Sequence, residues 1–329
     1  MNTTTTYLGL PLPHPFIAGA SPLSQRIDTL RQLEDAGCAA VVLHSLFEEQ
    51  VADARERRVG HMDPHDPRFA ATLTHYPTSK AFAATPDAYL AHVAEAKRAL
   101  GIPVIASLNG GTAESWLTFA RDVERAGADA LELNLYQLVA DPKLSSAVVE
   151  DEWVRMVRDA RRLLTIPIAV KVTPFFTAFA NMANRLSDAG AGALVLFNRV
   201  YQTDIDIATA TPVVHVDLST SQELLLRLRW VAALFGRTKA QLALTGGVAT
   251  PDDGIKALLA GADVVQLVSA LLRHGPGYVA TMRAGLARWM EEHAVARLED
   301  ARGRASLVRM DDPLAFERAT YLQTLRSWR

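Results

Sequence analysis

A short pattern that recurs four times constrains the fold of this chain more than any other feature. It is Ala-Gly, two or three mostly small residues, then a β-rich apolar run. It occurs as Ala36-Gly37 before Val41-Val42-Leu43 and as Ala126-Gly127 before Leu131-Glu132-Leu133. It returns as Ala189-Gly190 before Leu194-Val195-Leu196 and as Ala260-Gly261 before Val264-Val265-Gln266-Leu267. Each glycine falls where a helix ends in a left-handed residue, and each apolar run reads as a buried parallel strand. A helix that feeds a strand repeatedly marks βα units. Segments 16–18, 103–107, 168–172 and 242–244 bring the strand-like runs to eight. Helical patterns lie between them; in 113–125, for example, Trp116, Phe119, Ala120 and Val123 share one face. Eight strands alternating with helices predict a (β/α)8 TIM barrel of the α/β class rather than an open doubly wound sheet.

The chain has 329 residues, 49% hydrophobic and 21% charged, enough for such a barrel as one unit. Two stretches exceed a minimal barrel. Residues 46–85, with several His, Pro and Asp, read as an insertion after the second strand. Residues 294–329, rich in Arg and Glu with Trp328 near the end, read as a tail beyond a barrel domain spanning 1–293. That tail is either a docking or interface segment or a solvated extension. A net charge of −2 without a Lys/Arg block argues against a nucleic-acid partner. The N-terminus lacks a signal peptide's basic and apolar regions, and no stretch approaches a membrane span, so a cytoplasmic protein without a membrane partner is expected. The single cysteine, Cys38, excludes an internal disulfide and a cysteine-based metal site within this chain. Among small neighbours it reads as a buried structural thiol.

In a barrel of this kind the chemistry belongs at the C-terminal strand ends. Those ends read Gly19-Ala20-Ser21, His44-Ser45, Ser107 with Asn109, Asn134 with Tyr136, Lys171, Asn198, Gly246-Gly247 and Ser269-Ala270. They offer no carboxylate cluster for a metal and no Ser-His-Asp arrangement. Gly246-Gly247 precedes Thr250-Pro251-Asp252-Asp253, which reads as a helix start: Thr250 as N-cap, Pro251 at the first position, two acids for the dipole. Such a strand–loop–helix can hold a phosphate on free N–H groups, and it can also be only a tight turn. Lys171 lies within an apolar strand. It either snorkels outward beside a helix, or points inward as a cation beside an electron-rich ring or phosphate, or serves as a Schiff-base amine. Asn134 and Asn198 read as ligand contacts or as loop-shaping residues. His44 either packs at the mouth or contacts a ligand. His61, His65 and His75, with Asp63 and Asp66 among them, match no helical metal motif and read as a solvated loop.

From about residue 7 to residue 293 these motifs resemble the dihydroorotate dehydrogenase family, the FMN-containing barrels of pyrimidine biosynthesis. The resemblance is strongest in the run from His14 to Ser21, in Glu132-Leu133-Asn134, in Val170-Lys171-Val172-Thr173-Pro174, and in Thr245-Gly246-Gly247 with the run from Ala260 to Gln266. Ser107-Leu108-Asn109-Gly110, Leu196-Phe197-Asn198-Arg199 and the run from Ser269 to Pro276 resemble the subgroup called dihydroorotate dehydrogenase-like. The resemblance implies FMN across the barrel mouth. Gly246, Gly247, Ser269 and Ala270 would hold its phosphate, and Lys171 would stabilise the reduced ring. Ala20, Ser21, Ser45, Asn109, Asn134 and Asn198 would line the cofactor. It also implies a homodimer.

The departures concern the substrate. Where the family has an Asn-Leu-Ser-Cys-Pro-Asn-like run, this chain has Asn134-Leu135-Tyr136-Gln137-Leu138-Val139. Gln137 replaces the cysteine base, and Tyr136 can take a proton only as a phenolate. The family's lysine after strand 2 is His44 here, its Asn-Ser/Thr pair is Asn198-Arg199, and its Asn-Ser-Met-Gly-like segment has no counterpart around 74–77. His44 and Arg199 are then candidates for orienting an anionic or carbonyl substrate, with Lys171 and Tyr136 the catalytic candidates. Three functions remain in view. The first is an FMN-dependent oxidoreductase acting on dihydroorotate or a related CH–CH substrate. The second is a flavoprotein electron-transfer or regulatory subunit with a redox partner. The third is a Schiff-base aldolase using Lys171.

Overall fold

The computed structural model describes residues 1–48, 50, 85–110, 114–137, 139–199, 203–214, 217–313 and 325–327. Most of the insertion, with His61, His65, His75 and the segment around 74–77, therefore lies outside the described residues, as do Trp328 and the side chain of Trp116. Eight parallel strands close into a barrel: β1 (Phe16–Ala18), β2 (Val41–Phe47), β3 (Val104–Asn109), β4 (Ala130–Asn134), β5 (Ile168–Val172), β6 (Ala193–Leu196), β7 (Gln241–Thr245) and β8 (Val264–Leu267). Eight helices alternate with them: α1 (Ile27–Asp35), α2 (Pro86–Ala99), α3 (Glu114–Arg125), α4 (Ser146–Leu163), α5 (Phe179–Ala189), α6 (Leu224–Leu234), α7 (Pro251–Ala260) and α8 (Tyr278–Glu292). All eight strand-like runs are strands. Strand β2 runs on to Phe47, two residues into the stretch assigned to the insertion, with a register shift against β3 between Val42 and Ser45. Such an irregularity re-aims side chains, here at the mouth.

The helix stops follow from the repeat. Gly37, Gly127, Gly190 and Gly261 all have positive φ, so each helix ends without the steric cost a Cβ would bring. At the start of α7, Thr250 Oγ1 accepts from Asp253 N–H and Asp253 returns the bond to Thr250 N–H, closing a capping box with Pro251 at the first position. The outward strand faces pack against the helices, including Phe119, Ala120 and Val123 of α3.

The inward face is built differently. Ala130, Ala169, Ala193 and Ala243 line the lower interior, and the space they leave is filled from below. Thr5–Tyr7 and Leu10–Leu12 form an antiparallel hairpin whose Tyr7, Leu8 and Leu12 join those alanines. Gln241, the first residue of β7, ties it down by accepting from Leu8 N–H (2.6 Å) and donating to the Thr6 carbonyl (2.5 Å). The floor of the barrel is therefore closed, and the open end is the C-terminal one.

Beyond α8 the chain does not leave the barrel at once. Val295, Leu298, Ala301 and Leu307 are buried, Gly303 and Ala305 donate backbone bonds to Leu258 and Leu259 of α7, and Arg302 pairs with Asp263. A Cβ on Gly303 or Gly261 would overlap the Phe235 ring, so the two glycines clasp it between them. Cys38 is buried, and burial pushes its thiol up to about 12.

Candidate active site

The inward positions of β4, β5 and β8 place three polar side chains in the middle of an otherwise apolar interior. Glu132 is fully buried; Lys171 is 6% exposed, with its Nζ 3.4 Å from Glu132 Oε1. Gln266 Nε2 donates to the other oxygen, Glu132 Oε2, at 2.6 Å. Below them the Tyr7 hydroxyl faces Glu132 and Gln266, and burial first, then the Glu132 charge, holds that phenol well above its usual value. Lys171 thus points inward, and the snorkelling alternative is excluded. A buried ammonium needs a counter-charge, and Glu132 supplies it. Glu132, Gln266 and Tyr7 were not singled out from sequence. The legible signal was a polar residue at every second position of a barrel strand, as in Leu131-Glu132-Leu133-Asn134.

One layer higher lie the amide and hydroxyl groups. Asn134 Nδ2 donates to Ser45 Oγ (3.4 Å), which shares a hydrogen bond with Ser107 Oγ (2.8 Å). Asn134 Oδ1 is buried with no partner among the described residues, as are His44 Nδ1 and Gln266 Oε1. Buried acceptors are rarely left unmatched: Asn134 Oδ1 and His44 Nδ1 fit a ligand edge that donates hydrogen bonds, whereas Gln266 Oε1 lies deeper, near the likewise unpartnered Tyr7 hydroxyl. Asn109 ends β3, Asn198 follows β6 half-buried, and Ala20 and Ser21 follow β1. Tyr136 is half-buried just past β4, and Gln137 is exposed.

Gly246 and Gly247 both have positive φ and turn sharply after β7. Gly247 N–H donates to Ser219 Oγ (3.0 Å), and Ser219 Oγ lies 2.8 Å from Ser269 Oγ at the entry to the short helix Ser269–His274. Arg273 fastens this crossing by donating to the Leu218 and Ser219 carbonyls. The loops after β6, β7 and β8 therefore converge on one hydroxyl, among backbone N–H groups at a turn and a helix start. The residues fit a phosphate-bearing cofactor. Ser219 was missed in the sequence because its partners lie 28 and 50 positions away.

Of the two substrate candidates, Arg199 lies next to this cradle, since its partner Glu223 abuts Gly247. Arg199 Nη1 is 3.5 Å from Glu223 Oε2, beside the start of α6. His44 packs edge-on to Tyr89 (5.3 Å) and 5.5 Å from His92, whose Nε2 contacts the Ser24 carbonyl at 2.7 Å. Burial, with the neighbouring His92, lowers His44 from 6.5 to about 4, so it is neutral near pH 7. Burial lowers His14 likewise to about 4. Both bind protons more readily unfolded than folded between those values, so stability falls as the pH drops from about 6.5 towards 4. The melting temperature should decline across that window, and His44→Asn should flatten the decline. An unchanged slope in that variant would show that His44 is not the group titrating.

Among the described residues no helix is long and apolar enough to cross a membrane. The family profile described as dihydroorotate dehydrogenase matches residues 83–290. The chain belongs to the dihydroorotate dehydrogenase family. It is similar to the catalytic subunit of dihydroorotate dehydrogenase B (NAD(+)) from Thermoplasma volcanium, 27% identical over 325 residues that cover 92% of this chain and 98% of the relative. The corresponding subunit from Methanocella arvoryzae is 27% identical over 295 residues, covering 88% and 94%. The NAD-dependent dihydropyrimidine dehydrogenase subunit PreA of Escherichia coli K12 is 25% identical over 333 residues, covering 92% and 76%. The chain is an oxidoreductase of the dihydroorotate dehydrogenase type, acting on CH–CH groups.

Proposed function

We propose that the chain oxidises a dihydropyrimidine, with dihydroorotate or a close analogue as substrate, using FMN bound across the barrel mouth. The observation that carries this reading is the inward Lys171 beside buried, unmatched acceptors on one side of the barrel mouth and the Gly246-Gly247 turn on another. FMN supplies the chemistry by accepting a hydride from one carbon of the substrate's CH–CH bond. The protein does the rest. Gly246, Gly247, Ser269 and Ala270 hold the phosphate, with Ser219 added to them. Ala20, Ser21, Ser45, Asn109, Asn134 and Asn198 line the ring system. Lys171 faces the pyrimidine edge as a fixed cation, where negative charge gathers on reduction. The proton from the second carbon leaves to a base at the mouth, and Tyr136 is the candidate from this chain. His44, neutral, and Arg199 orient the substrate.

The pairing of Lys171 Nζ with Glu132 Oε1 weighs against a Schiff-base aldolase, because that chemistry needs the amine free to attack a carbonyl. Two of the relatives are named as catalytic subunits and one as a subunit, which supports electron transfer onward to a partner protein. With one cysteine, this chain holds no all-cysteine iron–sulfur cluster of its own. The same resemblance underlies our expectation of a cytoplasmic homodimer serving pyrimidine biosynthesis.

The test is a visible spectrum of the purified protein, repeated anaerobically after adding dihydroorotate. Flavin bands that bleach support the full reading. Bands that persist with dihydroorotate but bleach with dihydrouracil or dihydrothymine move the substrate within the class. Absence of any flavin band after incubation with FMN would overturn the cofactor assignment.

A further inference from the structure

Helix α6 buries the wrong residue for an ordinary barrel helix. Its sequence opens Leu224-Leu225-Leu226-Arg227-Leu228, yet Arg227 is only 7% exposed while Leu225 and Leu226 are 67% and 46% exposed. A helix that turned by one position would bury leucine and expose arginine, so the arginine is held inward by what it meets. Its Nε donates to the Thr245 carbonyl at the end of β7 and its Nη1 to the Glu223 carbonyl, both at 2.6 Å. No carboxylate lies within 4 Å of it among the described residues. Burial lowers the basicity of this guanidinium, with Glu223 opposing and Arg199 adding to the effect.

The remaining edge of Arg227 faces Gly246. A Cβ on Gly246 would sit 2.8 Å from both Nε and Nη2 of Arg227, so the guanidinium occupies the space a side chain would take. The first glycine of the turn is thus backed by a buried guanidinium that is held by two carbonyls and feels the Glu223 charge without forming an ion pair with it. Buried charges persist when paired. In the turn beside it Gly247 N–H donates to Ser219 Oγ and Ser219 Oγ to Ser269 Oγ, so an anion seated there would take over donors that here bond to one another. We propose that Arg227 is the charge partner of the phosphate monoester seated on Gly246-Gly247, and that it makes the site select a phosphorylated flavin over riboflavin. This rests on the FMN reading above and adds a residue and a specificity to it. The backbone N–H groups recognise the shape of the phosphate; Arg227 recognises its charge, in a low-dielectric setting where charge-assisted bonds are strongest.

The experiment is a titration of flavin-stripped protein with FMN and with riboflavin, followed by flavin fluorescence, in wild type, Arg227→Gln and Arg227→Lys. Glutamine keeps a donor for the Thr245 carbonyl and removes the charge. A charged hydrogen-bonding partner accounts for about 10- to 100-fold in affinity. The expected result is a loss of FMN affinity of about that size in Arg227→Gln. Riboflavin affinity should stay within about twofold, and Arg227→Lys should retain most of the FMN preference. Equal loss of both flavins in Arg227→Gln, or no loss of either, would overturn the proposal. Inorganic phosphate provides a readout independent of the flavin: it should raise the melting temperature of flavin-stripped wild type and not that of Arg227→Gln. If wild type binds neither flavin, the FMN reading fails first. Phosphate stabilisation that still depends on Arg227 would then uphold the anion site, and its absence would remove it.

Discussion

Replacing Lys171 with alanine is expected to destabilise the folded chain by about 3–5 kcal/mol and to slow flavin reduction by substrate on the order of 10²-fold. The first effect follows from Glu132. It is fully buried, its Oε1 faces Lys171 at 3.4 Å, and its remaining contact is Gln266. Without the ammonium that carboxylate stays in the barrel interior as an uncompensated charge. The second effect follows from the proposed place of Lys171 as the cation at the pyrimidine edge of FMN. The two separate in a double variant. Lys171→Ala with Glu132→Gln should recover much of the lost stability, because neither charge is then stranded, while flavin reduction stays slow. Thermal melts and anaerobic stopped-flow reduction of the FMN-loaded proteins read the two effects. A single variant as stable as wild type would mean that the pair is not coupled. A double variant that reduces at the wild-type rate would remove Lys171 from the catalytic assignment.

Gly247→Ala is expected to be nearly as damaging, for a reason the motif alone does not reveal. Its φ of +79 costs an L-residue about 1–2 kcal/mol. More serious, a Cβ at Gly247 would lie 2.4 Å from the Leu224 nitrogen and 2.7 Å from its Cα, and neither backbone atom can swing aside. The first turn of α6 must move, carrying Arg227 away from Gly246. The expected outcome is an FMN affinity lowered by more than about 100-fold, with faster amide exchange across residues 220–228. Gly246→Ala has the same positive φ, but its overlap is with the Arg227 side chain, which can move, so its folding cost should be smaller. A Gly247→Ala protein with wild-type FMN affinity would show that the turn neither supports α6 nor holds the phosphate.

Glycine at 247 was legible as a phosphate-loop residue, but its contact with α6 was not, because Leu224 lies 23 positions earlier and meets it only after the barrel closes. The same holds across the site. Lys171, Asn134, Ser45 and Ser269 stand at strand ends that periodicity locates. Their partners Glu132, Gln266, Ser107 and Ser219 come from other strands and loops. His44 was left between packing and ligand contact, and burial against Tyr89 and His92 explains its neutrality without choosing between them. Arg227 carries no local mark in its leucine-rich segment, since nothing there shows which face turns inward.

Local rules thus settled the eight βα units, their glycine stops and the capping box at Thr250. Each depends on residues within about a turn of one another, where backbone sterics and hydrogen bonds act directly. Tertiary structure decided which polar side chains share the interior, that Tyr7 closes the floor beneath Glu132, and that a guanidinium stands behind Gly246. Those outcomes depend on desolvation and charge pairing between groups far apart in the chain. Such energies come into being only when barrel closure removes the water between them.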